Sequence, residues 1–361
     1  MESESKVEMI RVGIVGFGMG GRVFHGPLIS SVEGLELAAV LERSTSYAAG
    51  RYPGIKTFRS LDEMLADASL DLFVVITPSG THFELAKQIL NAGRPVVVDK
   101  PMAVSSAQIA ELMRLAKSRN ILLAPFHNRR WDSDFLTIQK LLHEESLGRL
   151  VSFESRFDRW RPKQPTDRLW KENADTGGGV LLDLGTHLAD QALFLFGKPE
   201  SISADIRCER DWATVNDAFT LRLRYPAFIV ILGANSLSLP AGPRFHLRGT
   251  KGNYWKYGLD PQEAALNKVT RIEEGPWGRE PQGEWGTLHL DAGGNTVSQP
   301  VEPVTGDYRR YYAALRDALL GKGSVPVAPV DAWRVARLLE LAVQSSAERR
   351  EIACDWRAEP E

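Results

Sequence analysis

The chain has 361 residues, of which 43% are hydrophobic and 25% charged, so it is long enough for two domains with hydrophobic cores. A formal net charge of -2 with both signs mixed along the chain argues against partners such as nucleic acids or membranes. The two cysteines, Cys208 and Cys354, have no spacing typical of a disulfide framework or a metal site. Residues 1–8 are polar and carry no secretion signal, and no apolar run approaches the length of a membrane span. We therefore expect a cytoplasmic protein.

The first predicted element is a buried strand, Ile10–Val15, that runs directly into a glycine-rich turn. The turn contains the pattern G-x-G-x-x-G as Gly16, Gly18 and Gly21. In this pattern the first glycine permits a tight turn, the second lets the backbone approach a pyrophosphate, and the third lets the next helix pack against the strand. A second predicted strand, Leu35–Leu41, follows. This context indicates a dinucleotide-binding turn.

The residues after the second strand carry conflicting signals about the cofactor. Glu42 lies where a carboxylate can bind both ribose hydroxyls of NAD and repel the 2′-phosphate of NADP. Arg43 and Ser44 follow at once, and these residue types bind a 2′-phosphate. Arg43 is equally suited to adenine stacking or to a solvent-exposed position. The sequence therefore predicts NAD or NADP and does not choose between them.

Strands and helices continue to alternate up to about residue 126. Capping boxes that mark helix starts occur at Ser60–Glu63, Thr81–Glu84 and Ser105–Gln108. Gly93 marks the end of the helix that follows the second box. Further strands are predicted over Leu70–Ile76, Pro95–Val98 and Ile121–Ala124. This order is typical of an α/β Rossmann dinucleotide-binding domain with a doubly wound parallel sheet, here over residues 1–126.

A lysine follows the predicted strand Pro95–Val98, within the segment Asp99–Pro101. Proline cannot extend a sheet, and open α/β sheets bind their ligands at the carboxyl ends of parallel strands. Thr77 and Pro78 follow another strand and should line the same cleft. The alternative for Lys100 is a solvated lysine at a strand end.

From residue 127 the pattern changes to that of a mainly antiparallel, open sheet, which predicts an α+β substrate-binding and oligomerisation domain over residues 127–361. Its strands are predicted over Leu150–Asp158, Glu200–Glu209, Ala218–Tyr225, Phe228–Asn235 and Arg244–Arg248. We expect loops over 240–306, which are rich in glycine, tryptophan and proline. Two amphipathic helices, Tyr308–Gly321 and Asp331–Arg349, should serve packing, in part against the first domain. Because large exposed apolar faces are uncommon on monomers, we expect a homodimer or homotetramer formed through the sheet.

Between the first two of these strands, Thr176 and three glycines lead into an apolar helix that carries Asp183 and His187. Their i, i+4 spacing places both side chains on one helix face. Histidine is suited to proton transfer near neutral pH and a carboxylate can orient it, whereas the alternative is a core histidine. A capping or core role is likewise the alternative for His82. Two ligands without a further histidine or cysteine cluster argue against a metal site.

Two stretches combine arginine, asparagine and tryptophan near the predicted cleft, Phe126–Asp132 and Phe157–Pro162. These residue types suit a polyhydroxylated ligand, because they offer donors for hydroxyls and a flat apolar face for ring carbons. The alternative is a network of ion pairs between the domains. The residues expected to bind such a substrate are Asn128, Arg129, Arg159, Trp160, Asp183 and His187.

Taken together, these motifs resemble the glucose-fructose oxidoreductase / inositol dehydrogenase / MocA (Gfo/Idh/MocA) family over nearly the whole chain. The resemblance rests on the glycine turn, on Thr77-Pro78 with His82, on Lys100-Pro101, and on Gly177–His187. In that family the lysine of an E-K-P motif, an aspartate and a histidine form the catalytic set, which implies these roles for Lys100, Asp183 and His187. Here Asp99 replaces the glutamate of the motif.

The runs His127–Asp132 and Lys256–Glu263 are most similar to the branch that contains NADP-dependent scyllo-inositol dehydrogenases, whose members usually lack an acid at the position of Glu42. The resemblance implies hydride transfer between nicotinamide and a secondary carbinol of a cyclitol or sugar. His187 would move the hydroxyl proton, Lys100 would stabilise alkoxide charge, and Asp183 would hold His187 or bind a neighbouring hydroxyl.

A non-catalytic dinucleotide-binding sensor, and a reductase of a non-sugar substrate such as a dihydrodiol, are the alternative functions. A sensor would be expected to lose the lysine or the histidine, and both are present, which favours the enzyme. The residues expected to contact the dinucleotide are Gly16, Phe17, Gly18, Gly21, Glu42, Arg43, Thr77, Pro78, His82, Asp99 and Lys100.

Overall fold

The computed structural model describes residues 9–164, 172–173, 177–273 and 277–360. Residues 1–8 and Thr176 lie outside the described residues, as do residues 274–276 of the predicted loop region. No helix in the described ranges is long and apolar enough to cross a membrane. Within the same ranges, no group of three or more histidine, cysteine or acidic side chains is arranged to hold a metal ion.

The N-terminal sheet consists, in the described residues, of six parallel strands in the order β3-β2-β1-β4-β5-β6. They are β1 (Ile10–Val15), β2 (Leu35–Leu41), β3 (Lys56–Phe58), β4 (Leu72–Val75), β5 (Val96–Asp99) and β6 (Leu123–Phe126). The strand order changes direction between β1 and β4, and a crevice opens at that point beside the carboxyl ends of the strands. The predicted Rossmann architecture is confirmed, although β6 begins two residues later than predicted and β3 was not predicted.

Short helices and turns connect these strands on both faces of the sheet. A π-helical turn, Gly21–His25, leads into the first helix. The helices are α1 (Gly26–Ile29), α2 (Tyr47–Arg51), α3 (Leu61–Leu65), α4 (His82–Asn91) and α5 (Ser106–Arg119). Ser60 and Ser105 cap their helices as predicted, each accepting a bond from a backbone N–H three residues later at 3.3 Å. The helix start predicted at Thr81 is confirmed, but the capping bond is not formed, because the Thr81 hydroxyl donates to the Pro78 carbonyl at 2.7 Å instead.

The C-terminal sheet has nine strands in the described residues, in the order β14-β13-β12-β11-β7-β10-β9-β8-β15, and only the β7–β10 pair among them is parallel. They are β7 (Leu150–Asp158), β8 (Ser201–Arg207), β9 (Ala218–Arg224), β10 (Ile229–Asn235), β11 (Phe245–Gly249), β12 (Gly252–Lys256), β13 (Gly286–Ala292), β14 (Asn295–Val301) and β15 (Ile352–Ala353). The predicted mainly antiparallel sheet is confirmed.

The prediction of loops over 240–306 is wrong, because this stretch supplies, besides the predicted strand β11, three further strands at one edge of the sheet, β12, β13 and β14. The outermost strand, β14, is exposed along almost its whole length, so it lacks the alternation of apolar and polar residues that identifies a half-buried strand. Gly293 and Gly294, with φ of 69° and 91°, form the turn between β13 and β14. A glycine pair is a hairpin signal, and it would have predicted this turn.

The remaining helices follow β6 in the chain. They are α6 (Ser133–His143), α7 (Thr186–Phe196), α8 (Gln262–Leu266), α9 (Arg309–Leu319) and α10 (Pro329–Glu348). The Glu340 carboxylate on α10 accepts bonds of 2.7 Å from both the backbone N–H and the hydroxyl of Ser106, at the start of α5. On α9, the Tyr311 hydroxyl donates to the Pro125 carbonyl at 3.0 Å. These contacts fix the position of the C-terminal helices against the N-terminal sheet.

The face of the C-terminal sheet that points away from the helices is not the apolar surface on which the expectation of an oligomer rested. Arg156 on this face pairs with Glu154 at 3.5 Å and with Asp158 at 3.0 Å. His246 stacks on Trp255 with their ring centroids 3.7 Å apart. Assembly as a homodimer or homotetramer stays a prediction, and the molar mass in solution tests it.

Candidate active site

A cavity of about 480 Å³, here called the strand-end cavity, opens at the carboxyl ends of the N-terminal strands. It continues to the first turns of α7 in the second half of the chain. The predicted site residues that line it are Gly16, Phe17, Gly18, Glu42, Arg43, Thr77, Pro78, Asp99, Lys100, Asn128, Arg129, Arg159, Asp183 and His187. Three predicted contacts, Gly21, His82 and Trp160, are not among its lining residues.

The glycine turn at the end of β1 has the shape that a pyrophosphate site requires. Gly16 has a φ of 94°, and a Cβ atom there would lie 2.8 Å from the carbonyl oxygen of Ile76. A Cβ atom on Gly18 would meet no atom within 4 Å, so the backbone at this position is open to the cavity. A Cβ atom on Gly21 would lie 3.0 Å from the Gly16 carbonyl oxygen, which explains why this glycine serves packing. These residues therefore fit a dinucleotide phosphate.

Glu42 is buried at the end of β2, and the segment that follows it occupies its carboxylate. Oε1 accepts bonds from the Thr45 hydroxyl at 2.8 Å and the Tyr47 backbone N–H at 2.9 Å, and Oε2 accepts from the Ala48 N–H at 3.1 Å. The N-cap residue of α2, Ser46, makes no cap bond of its own. Glu42 therefore caps α2, a role that the motif-based prediction of ribose binding did not include.

Arg43, beside this cap, is exposed and lines the cavity together with Ser44 and Thr45. Within the described residues, no hydrogen bond or ion pair engages the Arg43 guanidinium. Arg59 supports the turn from behind, donating bonds of 2.6 Å to the carbonyl oxygens of Glu42 and Thr45. The turn thus presents a guanidinium group and hydroxyls to the cavity, while the Glu42 carboxylate accepts hydrogen bonds from the start of α2.

His82 lies behind the cavity wall at the start of α4. Its Nε2 atom is 2.7 Å from the Thr77 carbonyl oxygen and its Nδ1 atom is 2.8 Å from the Pro101 carbonyl oxygen. The ring therefore links the segments that follow β4 and β5. This position corresponds to the predicted alternative, a buried core histidine, and it contacts the backbone of Thr77 and of Pro101, the residue after Lys100.

Lys100 follows β5 and reaches across the cavity to the second domain. Its Nζ atom donates to the Asp183 carboxylate Oδ1 and to the Asp183 carbonyl oxygen, both at 2.8 Å. An ammonium group has three N–H donors, so one remains for a ligand in the cavity. The implied contact between Asp183 and His187 stays a prediction, and the structure adds a bond from Lys100 to the same carboxylate.

His187 lies in the first turn of α7 and is 6% exposed. Its Nδ1 atom has no hydrogen-bond partner among the described residues. Burial, and then the positive charges of Lys100 and Arg129, hold the pKa of His187 well below the ordinary 6.5. The imidazole is therefore neutral at physiological pH and able to accept a proton.

The segment after β6 combines an open amide with arginines that are already paired. Asn128 lines the cavity, and its side chain makes no hydrogen bond within the described part of the chain. Arg129 instead pairs with Glu263 at 2.8 Å and with Asp132 at 3.2 Å. The ion pairs of Arg129 therefore lie within residues 127–361 and do not form the interdomain network that was the alternative drawn from the sequence, whereas Asn128 remains available to a ligand.

A second cavity of about 620 Å³, here called the adjoining cavity, lies beside the first. Arg159 and Asp183 line both cavities, and Trp160 lines only the adjoining one. Arg210 and Asn216 also line the adjoining cavity. They were not predicted from the sequence, because they follow β8 in a loop without a recognisable motif.

Comparisons with known proteins agree with this geometry. Residues 10–127 match the model of the "Oxidoreductase family, NAD-binding Rossmann fold", and residues 139–354 match that of the "Oxidoreductase family, C-terminal alpha/beta domain". The chain belongs to the Gfo/Idh/MocA oxidoreductase family. This confirms the resemblance drawn from the glycine turn, Lys100-Pro101 and the segment ending at His187.

Members of the Gfo/Idh/MocA family with similar sequences cover nearly the whole chain. The uncharacterized oxidoreductase YdgJ of Escherichia coli (strain K12) is 42% identical over 94% of this chain and 97% of its own length. The scyllo-inositol 2-dehydrogenase (NADP(+)) IolW of Bacillus subtilis (strain 168) is 34% identical over 98% of both chains. The solved structure of yvaA from Bacillus subtilis superposes with a TM-score of 0.92, 35% identity and coverage of 97% and 99%.

Proposed function

We propose that this oxidoreductase uses NADP(H) to interconvert a secondary alcohol and a ketone on a cyclitol or sugar. The observation that carries the proposal is that Lys100 and His187 line one cavity with an open glycine turn. The similarity to IolW, which is named as an NADP(+)-dependent scyllo-inositol 2-dehydrogenase, supports the same reaction class.

In alcohol oxidation, each side chain of the cavity has a separate role. Neutral His187 takes the hydroxyl proton, and the third N–H of Lys100 stabilises the negative charge that develops on the reacting oxygen. Asp183 orients the ammonium group through the two bonds of 2.8 Å. Asn128 offers its amide to a neighbouring hydroxyl. When bound, the nicotinamide accepts or supplies the hydride.

The preference for NADP over NAD rests on the turn after β2. Thr45, Tyr47 and Ala48 use three of about four lone pairs of the Glu42 carboxylate, so this acid keeps one acceptor site, whereas binding both ribose hydroxyls takes two. Arg43 and Ser44 are exposed beside it. A guanidinium and a hydroxyl bind a 2′-phosphate and gain little from a ribose that lacks one.

The reduction of NADP and of NAD, followed separately with scyllo-inositol, myo-inositol and a set of aldoses, tests the proposal. We expect reduction of NADP by a cyclitol or an aldose, at least about 10-fold more efficient than with NAD, which corresponds to one charge-assisted hydrogen bond. Nucleotide binding without reduction by any member of the panel, or by an acidic derivative of these cyclitols and aldoses, would overturn the proposed substrate class. Equal efficiency with the two nucleotides would overturn the cofactor preference alone.

A further inference from the structure

Arg159 is a half-buried cation that forms no ion pair within the described residues, and it lines both cavities. It follows β7, where its backbone N–H donates to the Asn235 carbonyl at 3.0 Å. No hydrogen bond or ion pair engages its guanidinium within the described residues, although it lines both cavities. Burial, with a further contribution from Arg161, lowers the pKa of Arg159 to about 10. A charge without a partner at such a position lowers the stability of the fold unless a ligand supplies the opposite charge.

The adjoining cavity also has an excess of positive charge. The acids among its described lining residues are already paired, Asp183 with Lys100 at 2.8 Å and Glu172 with Arg210 at 3.3 Å. Arg161 and Lys163 line the same cavity, and no ion pair is formed by either within the described part of the chain. Among the described lining residues, the charged groups without an ion pair are therefore all cations, which favours an anion in this space.

We propose that the adjoining cavity binds an anionic group of the substrate, a carboxylate or a phosphate ester, with Arg159 as its main ligand. The planar guanidinium matches the paired oxygens of such groups, and the charge-assisted bonds satisfy both partners. Because Asp183 lines both cavities, one molecule can extend from the reacting carbinol near Lys100 into this space. The inference rests on the proposed function for the position of the carbinol, and it narrows the substrate to an acidic polyol.

Binding to the NADPH-loaded enzyme tests this site without turnover, because a reduced cofactor cannot oxidise an alcohol. Calorimetry compares glucuronate with glucose, and an inositol monophosphate with scyllo-inositol, which separates a carboxylate from a phosphate. We expect the anionic member of one pair to bind about 10-fold tighter or more, as one charge-assisted contact provides. This difference should shrink as salt is added.

Arg159→Gln should abolish the preference for the anionic member, because the neutral member can lose only a hydrogen bond to this side chain, while affinity for NADPH stays within about 2-fold. Arg224→Gln is the matched control, because it removes the same charge from β9, outside the lining of both cavities. Equal binding of the neutral and anionic members to the wild type overturns the site. Equal weakening of both by Arg159→Gln, or the same loss in Arg224→Gln, also does so.

If Arg159→Gln does not fold, the wild-type comparison and Arg161→Gln decide the question, since that side chain is exposed at the same wall. We expect Arg161→Gln to weaken only the anionic member, and an unchanged preference together with salt-independent binding would contradict the site. If the anionic preference holds but no ligand of either class is oxidised with NADP, the proposed function fails and the anion site stands.

Discussion

The ammonium nitrogen of Lys100 lies 2.8 Å from the carboxylate oxygen Oδ1 of Asp183, and this contact joins the two halves of the chain. Lys100 directly follows strand β5, and Asp183 lies 83 positions later in the π-helical turn Leu181–Gly185. The contact holds the ammonium group at the cavity and leaves one N–H donor unassigned. Asp183 is therefore a positioning residue for Lys100.

Replacing Asp183 by Asn should lower kcat while leaving NADPH binding unchanged. The amide removes the charge that orients the ammonium group, and we expect a loss of about 10- to 100-fold, equivalent to one charge-assisted hydrogen bond. Steady-state kinetics with parallel NADPH fluorescence titration measure both quantities. Asp183→Glu should recover part of kcat, and an unchanged kcat in Asp183→Asn would contradict the positioning role.

The pH dependence of alcohol oxidation should reflect the lowered pKa of His187. The reaction needs the neutral imidazole, and a lowered pKa means that protonation begins only well below pH 6.5. The kcat/KM for oxidation should therefore show no loss attributable to this group between pH 8 and 6.5, values spanning the ordinary histidine range. An acidic limb that is centred at or above the ordinary pKa, and that disappears in His187→Asn, would contradict this environment.

Replacing Glu42 by Ser should weaken the binding of NADPH and should not convert the enzyme to tighter NADP binding. The change removes the acceptor for two backbone N–H groups of α2, a loss of about 1 kcal/mol typical of a missing cap, and so loosens the phosphate-facing turn. Arg43→Ala should weaken NADPH about 10-fold or more and leave NADH nearly unchanged. Fluorescence titration measures both, and tighter NADPH binding by Glu42→Ser would restore the ribose-binding interpretation.

The ion pair between Arg130 and Asp190 should matter for stability. It is buried and bidentate, with distances of 2.9 and 2.6 Å, and it anchors α7, which carries His187. Asp190→Ala should lower the free energy of unfolding by about 3 kcal/mol, because it leaves the buried Arg130 guanidinium with only its 3.1 Å bond to Asp331. Asp205→Ala, at an exposed pair, should cost less than about 1 kcal/mol and serves as the control in denaturant titrations.

The ion pair between Arg130 and Asp190 should make the free energy of unfolding depend on pH in the acidic range. Burial opposes the charge of Asp190, but Arg130 and His127 outweigh it and lower the pKa of this carboxyl below 3.8. Its stabilisation is thus present above pH 3.8 and is lost as the pH falls through the lowered value. The difference in unfolding free energy between the wild type and Asp190→Ala should narrow on acidification, and a difference that widens would contradict the pairing.

Local patterns in the sequence were sufficient to predict the features that depend on neighbouring residues. The strand and turn Ile10–Gly21 and the lysine after β5 are examples, because burial on both faces and glycine spacing are visible within about ten residues. The use of Glu42 as a cap was not predictable from its motif, since the same residue can face a ribose or the next helix. Arg130 and Asp190 are 60 positions apart, so only the folded chain reveals that they pair.

Replacing Lys100 by Met, with turnover and nucleotide binding measured on the same preparation, tests the central claim most directly. The oxidation rate with the best substrate of the polyol panel should fall about 100- to 1,000-fold, as expected for removing the group that stabilises charge in the transition state. NADPH affinity should stay within about 3-fold, since the glycine turn and Arg43 supply the phosphate contacts. A variant that binds NADPH normally and still oxidises the substrate at the wild-type rate would contradict the assignment of this cavity as the reacting centre.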